Sequence, residues 1–260
     1  MGGTMDTLMP GYSLMLQKDA DPTTTGGVAI CGFTTDGKVG AIATAHLITS
    51  LNMRQLGTVM HADFPAVALV HDEIPKHPVR IYQSEGLGVF ISQLQFKNEM
   101  DVMFGSTVLE WYTKGNFDRL IIIDGVPKLS KEIDDGELFG VSTKESSREQ
   151  LKELGIKTIQ DGIVTGITGF LLSEGDRLGL DVTALLAEAS PLYPDARAAA
   201  VAVEALSDIT GIEIPLNDLL EYARVIEESV QQSLANAQPR LSAPDDFASD
   251  AETDADPSFM

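Results

Sequence analysis

The chain has 260 residues, 43% of them hydrophobic, and a formal net charge of −21. That apolar content fills a core without staples, the single Cys31 excludes a disulfide framework and a multi-cysteine zinc site, and the acidity opposes a general phosphate-binding surface. The longest apolar runs fall well short of a membrane span and the opening MGGTMDTLMPG lacks the features of a secretory signal, so the expectation is a soluble cytoplasmic protein with no nucleic acid or membrane partner.

In chain order, residues 27–33 (GVAICGF) predict a buried strand with Cys31 as an inert thiol within it. Residues 38–51 follow with Val39, Ile42, Ala43, Leu47 and Leu51 near helical spacing. Short strands are expected at 67–70, 79–82 and 89–94. Over 98–112, Met100, Met103, Phe104, Val108 and Trp111 form the stripe of a core-facing helix. The run from Arg119 through four aliphatic residues to Asp124 and Gly125 predicts a central parallel strand covered on both faces.

A strand is expected at 139–143, then a helix at 146–154 with Ser146 or Ser147 as its cap and Gly155 at its end. Further strands are placed at 161–164 and 181–187, with a helix at 168–178 closed by Gly179 between them. Pro194 is placed as a first helical residue, with Asp195 at the positive end of a helix over 196–206. That helix is apolar almost all round, so it lies under other helices or in a subunit interface. Gly211 closes it. The last helix, about 215–234, carries the stripe Leu216, Leu219, Leu220, Ala223, Ile226, Val230 and Leu234.

The alternation predicts an α/β fold, a three-layer sandwich finished by a C-terminal helical pair. Residues 236–260 differ in kind. They hold Asp245, Asp246, Asp250, Glu252, Asp254 and Asp256 against Arg240, among Ala, Ser and Pro, and are expected to form a disordered acidic tail beside a folded unit at 1–235.

Signals for chemistry are sparse. His46, His61, His71 and His77 have no local metal-ligand spacing, so no metal site is expected. His71, Asp72 and Glu73 follow a strand and read as an acid–base pair or, more commonly, as a charged surface loop. The spaced glycines 162, 166 and 169 either cradle an anion at a helix N-terminus or let that helix pack closely on the sheet. Asp124 ends a buried strand without an identifiable partner. The terminal Ser258, Phe259 and Met260 place an aromatic ring beside a free carboxylate on a tether, which reads as a docking peptide or as a frayed end. A coil-like tail of about 25 residues spans on the order of 25–30 Å.

The segment Pro191-Leu-Tyr193-Pro-Asp195-Ala-Arg197, its alanine-rich helix and the following Gly211-Ile-Glu-Ile-Pro-Leu resemble the archaeal proteasome assembly chaperone family, the proteasome assembly chaperone 2-like proteins. Residues 162–188, 64–78 and 121–124 are similar to the same family. The resemblance implies a phosphorylase-like sandwich, a homo-oligomer, no catalytic residues or cofactor, and binding to the proteasome α-subunit ring. It also implies docking through a C-terminal hydrophobic–tyrosine–any tripeptide, matched here by Ser258, Phe259 and Met260. Serine replaces the hydrophobic residue and phenylalanine lacks the tyrosine hydroxyl, which predicts weaker docking than a full match or none; an unpaired buried partner costs about 1–3 kcal/mol. The expected function is a non-enzymatic assembly chaperone or adaptor; the alternative is a nucleoside- or phosphate-binding enzyme using the 162–169 loop and Asp124.

Overall fold

The structure, a computed structural model, describes residues 12–17, 26–71, 73–128 and 136–237. In chain order the strands and helices are β1 (Ser13–Leu16), β2 (Val28–Gly32), α1 (Val39–Ser50), β3 (Arg54–Met60), β4 (Leu69–His71), β5 (Ile74–Lys76), β6 (Val79–Ser84), β7 (Leu87–Ser92) and α2 (Asp101–Lys114). Then follow β8 (Arg119–Pro127), β9 (Leu138–Ser142), α3 (Glu145–Glu153), β10 (Lys157–Thr158), α4 (Gly166–Leu178), β11 (Val182–Ala189), α5 (Ala196–Thr210) and α6 (Asn217–Ala237).

Nine strands form one sheet in the order β1-β3-β6-β7-β2-β8-β11-β9-β10. Its centre, β7-β2-β8-β11, is parallel, and antiparallel pairs extend it on both sides. β4 and β5 form a separate hairpin.

Side chains of a strand alternate between faces, and the central strands are apolar on both, so each face needs its own cover. Ile121 and Ile123 of β8, with Leu185 and Ala187 of β11, pack in one core with α1, α5 and α6. Leu120, Ile122, Ala184 and Leu186 point the other way, into a core with α2 and α4. The expected three layers are therefore present. Contact between the first helix and the sheet is close: a β-carbon on Gly32 would stand 2.1 Å from the Gly40 carbonyl oxygen, and one on Gly40 would stand 2.3 Å from that of Ile123.

Several local expectations are corrected. The strand expected at 161–164 is a loop; Ile163 is 91% exposed and the segment has no sheet neighbour. Neither Ser146 nor Ser147 caps α3. Lys144 occupies the cap position without a side-chain bond, and the Ser147 hydroxyl instead lies 2.9 Å from both carboxylate oxygens of Asp181. Pro194 precedes α5 rather than opening it, and Asp195 is the cap itself, accepting from the Ala198 N–H at 3.0 Å. The alternative of α5 as a subunit interface gives way to burial within the chain, under α1 and α6. The sequence carries no expectation for strands β1, β3, β5 and β10.

Among the described residues no helix is long and apolar enough to cross a membrane. α6 runs to Ala237; Ser258, Phe259 and Met260 and the rest of the expected tail beyond it lie outside the described residues.

Candidate functional site

At the β2/β8 pair the chain leaves toward opposite edges of the sheet: α1 leads from β2 to β3 on one side, and β8 leads on to β9 on the other. Open α/β sheets form crevices beyond the strand carboxyl ends at such a point. Here the crevice is a cleft of about 550 Å³, within the roughly 300–1,000 Å³ of small-ligand sites. Its walls are the turn 33–38 after β2, Phe96 and Asp101 before and at the start of α2, Asp124 and Gly125 of β8, residues 165–168 at the start of α4, and the loop 191–194 after β11.

The turn after β2 is fixed from two sides. Gly125 passes beneath it so closely that a β-carbon there would stand 2.1 Å from the Asp36 carbonyl oxygen. From the other side the Asp195 N–H donates to the Gly37 carbonyl at 2.7 Å. Lys38 consequently sits in the left-handed region, φ 53°.

Asp124 lies in the floor, 8% exposed. Thr35 donates to its Oδ1, Thr168 donates to Oδ2 at 2.5 Å, and its neighbour Gly125 donates from N to Oδ1 at 2.8 Å. Burial pushes its carboxyl above the usual aspartate range; the three hydrogen bonds oppose the shift, and the Asp36 charge adds to it. Asp101 is also raised, by burial and then by Glu99. Its Oδ2 lies 3.8 Å from where a β-carbon on Gly166 would stand, so the starts of α2 and α4 meet at the cleft.

The structure thus brings together Asp124 and the glycine-spaced segment that the sequence left apart. The Asp124 partners, Thr35 and Thr168, come from elements 89 and 44 residues away and carried no sequence signal. The two glycine readings divide by residue. Gly169 serves close packing, since a β-carbon there would stand 2.1 Å from the Val164 carbonyl oxygen, whereas Gly166 opens α4 at φ 68° on the cleft.

The histidines lie elsewhere. His46 Nε2 meets the Pro215 carbonyl at 2.7 Å, His61 stacks on Tyr12 with ring centroids 4.3 Å apart, and the His77 carbonyl accepts from Arg80. His71 and Glu73 are exposed on the β4–β5 hairpin, the surface-loop outcome, while Asp72 lies outside the described residues. Among the described residues no group of three or more histidine, cysteine or acidic side chains could hold a metal ion. Cys31 is buried, and burial pushes its thiol well up.

The segment that carried the family resemblance closes the cleft and joins two helices. Tyr193 and Pro194 line the cleft. Asp195 caps α5 and also accepts from the Ser190 N–H at 3.0 Å. Arg197 makes a two-bond ion pair with Glu227 of α6, Nε to Oε1 at 2.7 Å and Nη2 to Oε2 at 3.0 Å. The profile of the PAC2 family matches residues 29–234. The chain belongs to the PAC2 family.

An uncharacterized protein of Methanocaldococcus jannaschii is 24% identical over 205 residues, covering 79% of this chain and 84% of that protein. Among solved structures, Pyrococcus furiosus PbaA, described as an archaeal homolog of proteasome-assembly chaperone, superposes with a TM-score of 0.78 at 26% identity over 89% of this chain and 96% of PbaA. P. furiosus PbaB, described as an archaeal proteasome activator, shares the fold with a TM-score of 0.72 at 21% identity, over 86% of this chain and 99% of PbaB.

Proposed function

We propose that this PAC2-family protein is a non-enzymatic assembly chaperone or adaptor of the proteasome. It acts in the cytoplasm as a homo-oligomer and binds the α-subunit ring through Ser258, Phe259 and Met260 at the end of an acidic tether, residues 236–260. The observation that carries this reading is the likeness to PbaA, in fold and sequence, across 89% of this chain. Linked copies of a weak tail raise one another's effective concentration at a ring of repeated pockets, which offsets the missing tyrosine hydroxyl.

In the cleft, both Asp124 oxygens already accept hydrogen bonds from the protein. The alternative of a phosphate-binding enzyme meets an electrostatic obstacle: among the described residues of the lining, Asp36, Asp101 and Asp124 stand against Lys38.

Sedimentation of the full-length chain with a purified archaeal proteasome α-ring, beside a form lacking residues 257–260, tests the proposal. Co-sedimentation lost on truncation, with the oligomer intact, is the expected result. Binding that survives truncation removes the tail mechanism, and no binding by either form removes the chaperone reading.

A further inference from the structure

The strand edges of this fold are of two kinds. Sheets blunt an unpaired edge with a very short strand, a charge or a proline. At one end of the nine-stranded sheet, β10 has two residues, and Lys157 in it pairs with Glu137. In the separate hairpin, β5 carries Pro75. At the other end of the sheet β1 has neither device, and neither has β4 in the hairpin. β1 reads Ser-Leu-Met-Leu and β4 reads Leu-Val-His, and residues 12–17 and 64–71 around them contain no Asp, Glu, Lys or Arg.

Both open edges have backbone groups turned outward. The Gln17 N–H donates to the Leu56 carbonyl at 2.9 Å, so alternate residues of β1 bond to β3, and the N–H and C=O of Leu14 and Leu16 point away from it. Pro75 has no N–H, so its pairing with Val70 is of the non-hydrogen-bonded kind, and Val70 directs its own N–H and C=O outward from β4. The side chains there are apolar and in solvent: Met15 is 57% exposed, Leu16 42%, Val70 66% and Ile74 57%. A two-stranded hairpin is marginal in water by itself, so β4 and β5 gain stability from a third strand.

A second copy of the chain brings a complement to each edge. In a protein of net charge −21, these uncharged strands are a place where two copies meet without like charges across the contact. Pairing β4 with another β4 would leave β1 open, whereas pairing unlike edges satisfies both with one contact. We propose that β4 of one copy adds to β1 of the next and extends its sheet, a head-to-tail contact of the kind that builds rings. It supplies the contact of the proposed homo-oligomer and rests on that reading.

Sedimentation of the full-length protein beside Leu16→Lys and Val70→Lys tests this. Each variant charges an exposed side chain at one edge, and each should lower the sedimenting mass at least twofold while circular dichroism melts stay cooperative. In a second measurement, Leu16→Cys and Val70→Cys forms with different tags are mixed and treated with a short bismaleimide; Cys31 is buried. The mixture should yield a linked pair holding one of each, and neither form should link to itself. Unchanged mass in either lysine variant overturns the proposal and leaves the homo-oligomer standing. Self-linkage of the Val70→Cys form overturns it in favour of like edges meeting. A Val70→Lys protein that keeps its mass but no longer sediments with the α-ring would give the hairpin to the ring. A wild type that sediments as a single chain removes the homo-oligomer reading as well.

Discussion

Asp124 is a carboxyl group taken out of water and compensated by two threonine hydroxyls and one backbone N–H. Its position fixes a pH dependence. Because the folded-state value is raised, the unfolded chain gives up the proton first as pH climbs above the ordinary aspartate range. The stability contributed by this residue is therefore complete at low pH and is lost as pH rises through the window up to the raised value. An asparagine cannot ionise, so Asp124→Asn should gain in melting temperature relative to the wild type between about pH 4 and pH 7. Comparing the two melting curves at each pH cancels the titration of the other carboxylates. A constant difference across that range would mean that Asp124 stays ionised throughout.

At the scale of elements, the close approach of α1 to β2 and β8 is made by glycine. Gly40→Ala has nowhere to put its methyl group except against the Ile123 carbonyl and the Gly32 backbone, all of them rigid. Urea denaturation should show a loss of about 1–3 kcal/mol. The closing glycine of α4, Gly179, has open space around it, so alanine there meets only the strain of φ 68°. A smaller loss at Gly40 than at Gly179 would show that α1 can slide away from the sheet.

The elements legible in the sequence were those whose burial is itself periodic: β2 and β8 as unbroken apolar runs, α2 and α6 as stripes. β3 escaped because a register shift between Gln55 and Gly57 interrupts its alternation, and β1 because four residues give too short a period. The apolar Ile163 and Val164 suggested a strand, yet the chain has left the sheet after β10, and the Val164 carbonyl lies against Gly169 of α4 instead. For the site, the sequence supplied Asp124 and Gly166 separately. Only the strand order brings them to one end of the sheet, and Asp36 and Asp101, single acids in polar turns, carried no pattern at all. The Asp195-x-Arg197 pair was legible as a signature, whereas its work as a cap and as a clamp on Glu227 depends on α6 folding back.

Over the whole molecule, 39 acidic residues stand against 18 lysines and arginines. Many of the ion pairs formed are local, such as Arg224 with Glu221 and Glu228 on α6 or Arg177 with Glu174 on α4. Exposed pairs of this kind add little to stability. What holds the molecule together is the pair of cores on either face of the sheet, and both depend on the strand at its middle. β2 is made early, but one of its neighbours is β8, with Val28 opposite Arg119. At about 5–20 residues per second of synthesis, some 5–20 s separate the two at the ribosome. During that time a fully apolar strand waits with one edge unpaired and both cores unfinished. A chain stopped after Lys114 should therefore show no cooperative melting transition, and finding one would mean that the first half is a folding unit by itself. Until β8 emerges, the nascent chain is itself a client for whatever shields exposed strands in its cell.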